Sequence, residues 1–321
     1  MTAGKTIMNR KNLWSSALVG VAMALSLAAC GGGGSGSAAS SASDGCVVVS
    51  IPSPTAAESK IATDGLNWIN FRRGQLHMAA LSTNPLVGAA AQAHSFYQKA
   101  NKTVTHDETA CKAGFTGETV KERLATAGYK LSNGYAYGEI ISATNNSSGE
   151  FMVEELITAI YHRFVMFDPM FKEIGTGAIT TSAGYSYFTA NLTATNGLGP
   201  ELGKGVVFTW PMANQTNVTP NFFSDYESPD PVDNANEVGY PVSVHADNKA
   251  VLTVQDFSIR QRGGADLSVK LLQKSSDVHT RASTMAIIPL AVLKAATVYD
   301  VNFTGTADGI PVRKTWSFTT K

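Results

Sequence analysis

Apolar positions recur at helical spacing through the first half of the chain and at strand spacing through the second, with turn residues between the runs. Asp64 is read as the cap of a helix carrying Leu66, Ile69, Arg73 and Leu76. Asn84-Pro85 sets a cap before a proline at the first helical position of a second helix, which runs through Leu86, Ala89, Ala90, Ala93, His94 and Tyr97. Thr119 and Glu122 form a capping-box pair, and Gly128 supplies a left-handed stop to that short helix. A longer helix, predicted from 148 to about 167, puts Phe151, Glu155, Ile157 and His162 on roughly one face before Asp168-Pro169 ends it. Residues 172–180 and 185–193 alternate as two strands joined by Thr181, Ser182, Ala183 and Gly184. Helices on either side of a small sheet is the architecture these elements predict.

Past this point the helical pattern stops. Pro200, Pro211, Pro220, Pro229, Pro231 and Pro241 punctuate a stretch without helix-length periodicity, and the boundary between the halves is placed near 197–205. Short apolar runs follow at intervals of about ten residues, at 206–210, 242–245, 251–259, 267–272, 286–289, 298–303 and 315–319. Seven such runs predict a β-sandwich, with Trp316 and Phe318 core-facing by alternation. No repeat at a fixed period is evident, which sets solenoids aside.

The N-terminus changes the picture of where this fold works. Lys5, Arg10 and Lys11 precede an apolar run over 13–29, giving the basic, apolar and small-residue parts of a secretory signal. The run is short of the ~20 apolar residues that a spanning helix needs. Leu27-Ala28-Ala29-Cys30 resembles the bacterial lipobox, which implies cleavage before Cys30, lipidation of its thiol and anchoring to a membrane through acyl chains. Gly31 after the cysteine favours an outer membrane where the cell has one. Glycine, serine and alanine up to Ser43 form a flexible tether. With Cys30 acylated, Cys46 and Cys111 remain as an even pair in an oxidising setting, either bridged or as two free thiols. Loss of the leader takes 25 basic residues to 22 against 25 acidic ones, so no basic footprint for nucleic acid exists.

His94, His106, Glu139 and His162 carry the candidate chemistry, together with Gly138 before Glu139, Arg163 after His162, and Gly175 and Gly177 in the first of the two paired strands. The order of these landmarks resembles the CAP superfamily of cysteine-rich secretory, antigen 5 and pathogenesis-related proteins in its bacterial form. Its members write Ser-His, Gly-Glu-Asn and Ser-Pro-Gly-His-Arg ahead of a Gly-x-Gly strand. The resemblance implies a three-layer α-β-α sandwich with an open cleft lined by two His and two Glu. His106, Glu139 and His162 take three of those places. Ile140 stands where the family has Asn, and Ala159 occupies the place of the second Glu, with Glu155 one turn earlier as its substitute. The last 35 or so residues, from Pro289 to Thr320, are similar to bacterial Ig-like domains, which implies an all-β Ig-like sandwich after the α/β part. The expected organisation is therefore a signal peptide at 1–29, an anchored Gly/Ser-rich segment at 30–60, a CAP domain at 61–197, a linker at 198–205 and an Ig-like sandwich at 206–321.

A His, His, carboxylate set suits a weak zinc site completed by water, and general acid–base work would need one of these groups poised near working pH. Three functions stay open on this reading. The first is a lipid-anchored, monomeric envelope protein, at the outer membrane, cell surface or periplasm, whose His/Glu cleft binds a lipid, glycan or cell-wall component without turning it over. The second is a zinc-assisted hydrolase, a peptidase or nuclease, with His106, Glu139 and His162 as catalytic candidates. The third is an adhesive or scaffolding surface protein. The incomplete acidic set favours the first. His94, on an alanine-rich helix, reads as a buried histidine hydrogen-bonded to a neighbour, Arg163 as the partner of a carboxylate, and Asp107-Glu108 as a solvated turn. No nucleophile elbow, P-loop, zinc-binding HExxH helix or dinucleotide fingerprint occurs.

Overall fold

The computed structural model describes residues 49–321 and, in backbone course, two short strands near the N-terminus, β1 (Trp14–Ser15) and β2 (Val19–Gly20). Cys30, the Gly/Ser tether and Cys46 lie outside the described residues.

The first half builds α1 (Ala56–Gln75), β3 (Ser82–Thr83), α2 (Pro85–Asn101), α3 (Val120–Thr126), β4 (Ala136–Thr144), α4 (Gly149–Thr158), α5 (Ile160–Met166), β5 (Glu173–Thr180) and β6 (Ser186–Ala194). The strands form one sheet in the order β1-β4-β6-β5-β3, with β2 also paired to β4. Alternation divides its two faces. Ile140, Ile174, Phe188 and Leu192 pack with Ile61 and Ile69 of α1, Met152 and Leu156 of α4, and Val165 of α5. On the other face Tyr137 packs with Val87 and Ala90 of α2 and Val120 and Leu124 of α3. The layers are therefore α-β-α. The Gly-x-Gly landmark has a packing cause: a Cβ at Gly175 would lie 2.0 Å from the backbone nitrogen of Gly88, and one at Gly177 would lie 2.3 Å from the Cα of Gln92. Only glycine lets α2 lie this close to β5.

Two helix expectations are corrected. α1 starts eight residues before Asp64, capped by Thr55, whose hydroxyl accepts from the Glu58 N–H while Glu58 accepts from the Thr55 N–H at 2.8 Å. This is a capping box. Glu58 also accepts from the Thr180 N–H at 2.7 Å, tying the start of α1 to the end of β5, while Asp64 sits inside the helix paired with Lys60. The helix predicted from 148 to about 167 is two helices. Ala159 between them is extended, with φ −69° and ψ 115°.

The second half contains β7 (Val207–Trp210), β8 (Gln215–Val218), β9 (Asn221–Phe223), β10 (Glu237–Gly239), β11 (Val242–Ala246), β12 (Leu252–Gln261), β13 (Val269–Leu272), β14 (Thr284–Pro289), β15 (Val298–Ala307) and β16 (Ile310–Thr320). All seven strands expected from the sequence are present as β7 and β11 to β16. They form two four-stranded sheets, β13-β14-β11-β7 and β12-β15-β16-β8, with β9 and β10 as a separate hairpin. Trp210, Val244 and Ile287 of one sheet share a core with Phe257, Phe303, Trp316 and Phe318 of the other. β8 had no sequence signal because its residues are largely polar and exposed; it is a strand by virtue of its parallel pairing with β16.

The halves are packed together rather than strung on a tether. Phe167, after α5, meets Trp210 at a ring separation of 5.2 Å. Arg163 donates to the Pro241 carbonyl at 2.8 Å and to the Ser243 hydroxyl at 3.1 Å, so its partners are neutral acceptors and not the carboxylate expected. Arg281 pairs with Asp168 at 2.8 Å, and the Gly199 N–H donates to the Met170 carbonyl at 2.7 Å. Among the described residues no helix is long and apolar enough to cross a membrane.

Gly177→Ala should force α2 off the sheet and destabilise the fold by at least about 2 kcal/mol, the scale of an overpacked core. A denaturant melt checks this; a loss under about 0.5 kcal/mol would mean that the glycine contact is dispensable.

Candidate functional site

Glu139 lies on the β4 face that looks toward α2 and α3, with no exposed surface. Arg123, on the short helix α3, reaches it with Nη2 at 2.8 Å from both carboxylate oxygens. The same guanidinium donates through Nη1 to the His106 carbonyl at 2.7 Å, which fixes the loop that carries His106. His106 Nδ1 then lies 2.9 Å from Glu139 Oε1. His94, from α2, completes the group: its Nδ1 is 2.8 Å from Glu108 Oε1 and its Nε2 is 2.7 Å from the Thr105 carbonyl. Glu108 accepts in turn from the Thr116 N–H at 2.6 Å. The expectation of a solvated turn at Glu108 is therefore overturned. It is buried, because the loop folds back on α2 and His94 needs an acceptor there.

The electrostatics follow from this wiring. Burial would raise the Glu139 carboxyl, but Arg123, His94 and His106 outweigh it and hold the group well below the usual carboxylate range. Burial lowers the His106 pKa and prevails over the pull of Glu139. Since a carboxylate only accepts, the neutral ring carries its proton on Nδ1, leaving Nε2 a bare acceptor that is buried without a hydrogen-bond partner.

His162 stands on α5, near enough to His106 to oppose its protonation. Its own carboxylate comes from the second half of the chain. Glu227 lies 2.9 Å from His162 Nδ1 and accepts from the backbone N–H groups of Ile160, Tyr161 and His162 at 2.8, 2.7 and 3.1 Å. These N–H groups are the ones a continuous helix would have paired with carbonyls one turn back. The carboxylate thus accounts for the break at Ala159.

The open cleft expected from the sequence is corrected by this arrangement. His106 is 6% exposed, and Glu139 and His162 are not exposed at all. Ile160, Tyr161 and Phe164 of α5 are covered by Phe222, Val232, Val238 and Ile288 of the second half. Nor does the set fit zinc. Arg123 already occupies both Glu139 oxygens with a positive charge, and among the described residues no three His, Cys, Asp or Glu side chains are grouped to hold a cation.

Open space lies elsewhere. A cavity of about 700 Å³ sits at the seam between the halves, lined by Glu155 and Thr158 of α4, by the β8–β9 segment and by Glu227. Glu155, the substitute acid of the sequence reading, turns its buried Oε2 to no hydrogen-bond partner, and burial pushes its carboxyl up to about 7.

Comparison with known proteins agrees with the layered first half. Residues 66–192 match the family model of CAP, the cysteine-rich secretory protein family. These residues are a CAP domain. The solved structures similar to the chain include an extracellular protein containing an SCP domain from Bacillus anthracis str. Ames, 21% identical, over 42% of this chain and 40% of that one, with a TM-score of 0.36. Another is an outer surface protein from Borrelia burgdorferi, 16% identical, over 40% of this chain and 89% of that one, with a TM-score of 0.34. This chain therefore spans less than half of the first of them. No curated protein matches the sequence.

Sequence reasoning singled out His106, Glu139, His162 and Glu155 but not Arg123 or, beyond the CAP domain, Glu227, and it took Glu108 for a solvated turn. The capping box of α3 located the helix bearing Arg123 but not the direction of that side chain. Glu227 is 65 residues from His162 in a proline-broken stretch and carries no local signal.

Glu139→Gln should cost about 3–5 kcal/mol of stability, because it strands a buried Arg123. Thermal unfolding checks this, and a shift no larger than that of a surface substitution would contradict the network. Glu155 titrates near 7 in the folded state against an ordinary 4.5, so the folded state retains a proton that the unfolded chain releases. Its contribution is complete below about pH 4.5 and lost as pH rises through 7. Wild type should lose about 1–2 kcal/mol relative to Glu155→Gln between pH 5 and 8, after discount for partial solvent access; parallel stability curves for the two proteins would refute this.

Proposed function

We propose that this chain is an exported, lipid-anchored protein of the bacterial cell envelope whose CAP domain takes part in binding a lipid, glycan or cell-wall component and does not turn it over. The observation that carries this reading is that the carboxylates and the Nδ1 atoms of the His/Glu cluster are committed to partners inside the protein. Arg123 and His106 occupy Glu139, Glu108 and a carbonyl occupy His94, and Glu227 holds His162. A general base needs a reachable substrate proton, and these groups are buried, Glu139 with His94 and His106 on the α2 and α3 side of β4 and His162 on α5, which the second half of the chain covers. The seam cavity, bounded by Glu155 and Glu227, is the space such a ligand would use.

Export and anchoring rest on the leader and on Cys30, whose thiol is the proposed acylation site. A Cys46–Cys111 bridge fits that compartment and would staple the N-terminal segment to the loop that follows His106. An Ig-like reading of the two sheets is supported by strand order. Taking β7 as the first strand, one sheet runs first, second, fifth, fourth; the other runs third, sixth, seventh, and then β8, a split-off part of the first strand, parallel to the last.

With zinc supplied, the full chain should hydrolyse peptide and phosphodiester substrates no faster than its His106→Ala variant. Turnover that disappears in that variant, while its unfolding temperature holds, would overturn the binding reading in favour of a hydrolase.

A further inference from the structure

We propose that the seam cavity is a saccharide site, taking a neutral sugar chain between α4 and the β8–β9 segment; this rests on the binding reading above and names its ligand. The cavity volume, about 700 Å³, is in the range of small-ligand sites and accommodates a few rings. Its charges are already spent inside the protein. Arg72 is paired with Glu154 at 2.6 Å, and the Glu227 carboxylate is committed to the N-terminal turn of α5 and to His162. Lys321 is exposed at the rim. An ionic ligand would find little to neutralise it.

What remains is hydrogen-bonding capacity and flat aromatic surface. Glu155 Oε2 is a buried atom without a partner, and a carboxyl that titrates near 7 can both donate to and accept from a hydroxyl. Gln215, Asn217 and Asn221 of the β8–β9 segment add amides, of which Gln215 Oε1 already accepts from the Met212 N–H and Asn221 Nδ2 donates to Glu237. Phe151 and Phe223 line the same space while 40% and 39% exposed, and Tyr226 stacks on Phe223 at a ring separation of 5.3 Å. An exposed aromatic face beside amides and one neutral acid is a poor seat for an acyl chain, which wants apolar walls throughout. It suits a pyranose ring, whose C–H face lies on the negative face of an aromatic ring while its hydroxyls meet amides and carboxyl.

The test is calorimetric titration of the full chain at pH 6 with neutral oligosaccharides of the gluco, galacto and N-acetylgluco series, alongside phosphatidylcholine vesicles. Saturable binding of at least one series is expected. It should weaken at least about tenfold in Phe223→Ala and in Glu155→Leu, and stay within about threefold in Glu155→Gln, which keeps a hydrogen-bonding group. Unfolding temperatures near wild type in each variant ensure that the losses are local. Saccharide binding indifferent to these substitutions would overturn the proposal. Vesicle binding lost in the same variants, with no sugar bound, would overturn it while leaving a ligand-binding cavity in place. Silence toward both would overturn the saccharide site and the binding reading together.

Discussion

The contact between Glu227 and the start of α5 is the constraint on which the arrangement of this protein depends. One carboxylate receives three consecutive backbone N–H groups and lies against the His162 ring, with both groups buried. Those N–H groups exist as free donors only because the helix breaks at Ala159, and a buried break without a partner would leave them unpaired at a cost of about 1–3 kcal/mol each. The break and the carboxylate therefore require each other. Their union brings the second half of the chain onto α5, buries His162 and builds one wall of the seam cavity.

The buried charges on the other side of β4 obey a different balance. Removing Arg123, Glu139 and Glu108 from water is expensive, and attraction between them offsets it only when the geometry satisfies every donor and acceptor. Here Arg123 is wired to two carboxylate oxygens and two carbonyls and Glu139 shares its Oε1 with His106, while Arg123 Nε faces Glu108 Oε1 at 3.8 Å without a hydrogen bond. Such a set holds a loop, a helix and a strand in one register. It gains that specificity by immobilising the groups that acid–base chemistry would need to be free, and by filling the carboxylate with a guanidinium where a metal ion would otherwise sit.

The fold was legible wherever local rules decide it. Asn84-Pro85, Thr119 with Glu122, the alternation of 172–193 and the seven strands of the second half all depend on neighbours within a few residues, and each element formed. The failures are tertiary, with one exception. The break inside 148–167 is imposed by a residue in another part of the chain, and β8 exists only as a neighbour of β16; the start of α1 is a local departure, set by the Thr55–Glu58 capping box rather than by Asp64. The site divides the same way. His106, Glu139 and His162 stand out as residue types at family landmarks, whereas Glu108 reads as part of a solvated turn and Arg123 carries no signal until the loop after α2 folds back and α3 turns its side chain inward.

The position of Glu227 also explains why His162 lines no open cleft. Glu227 brings a carboxylate to the helix turn after Ala159 from outside the CAP domain and lies against the His162 ring. A carboxylate supplied from within the domain could leave the cleft open to solvent. One supplied from the second half brings its own backbone, and Phe222, Val232 and Val238 must pack beside it. The carboxylate contact and the covering of α5 thus come together. The accessible space moves to the seam, where the remaining acid, Glu155, has no internal partner to saturate it.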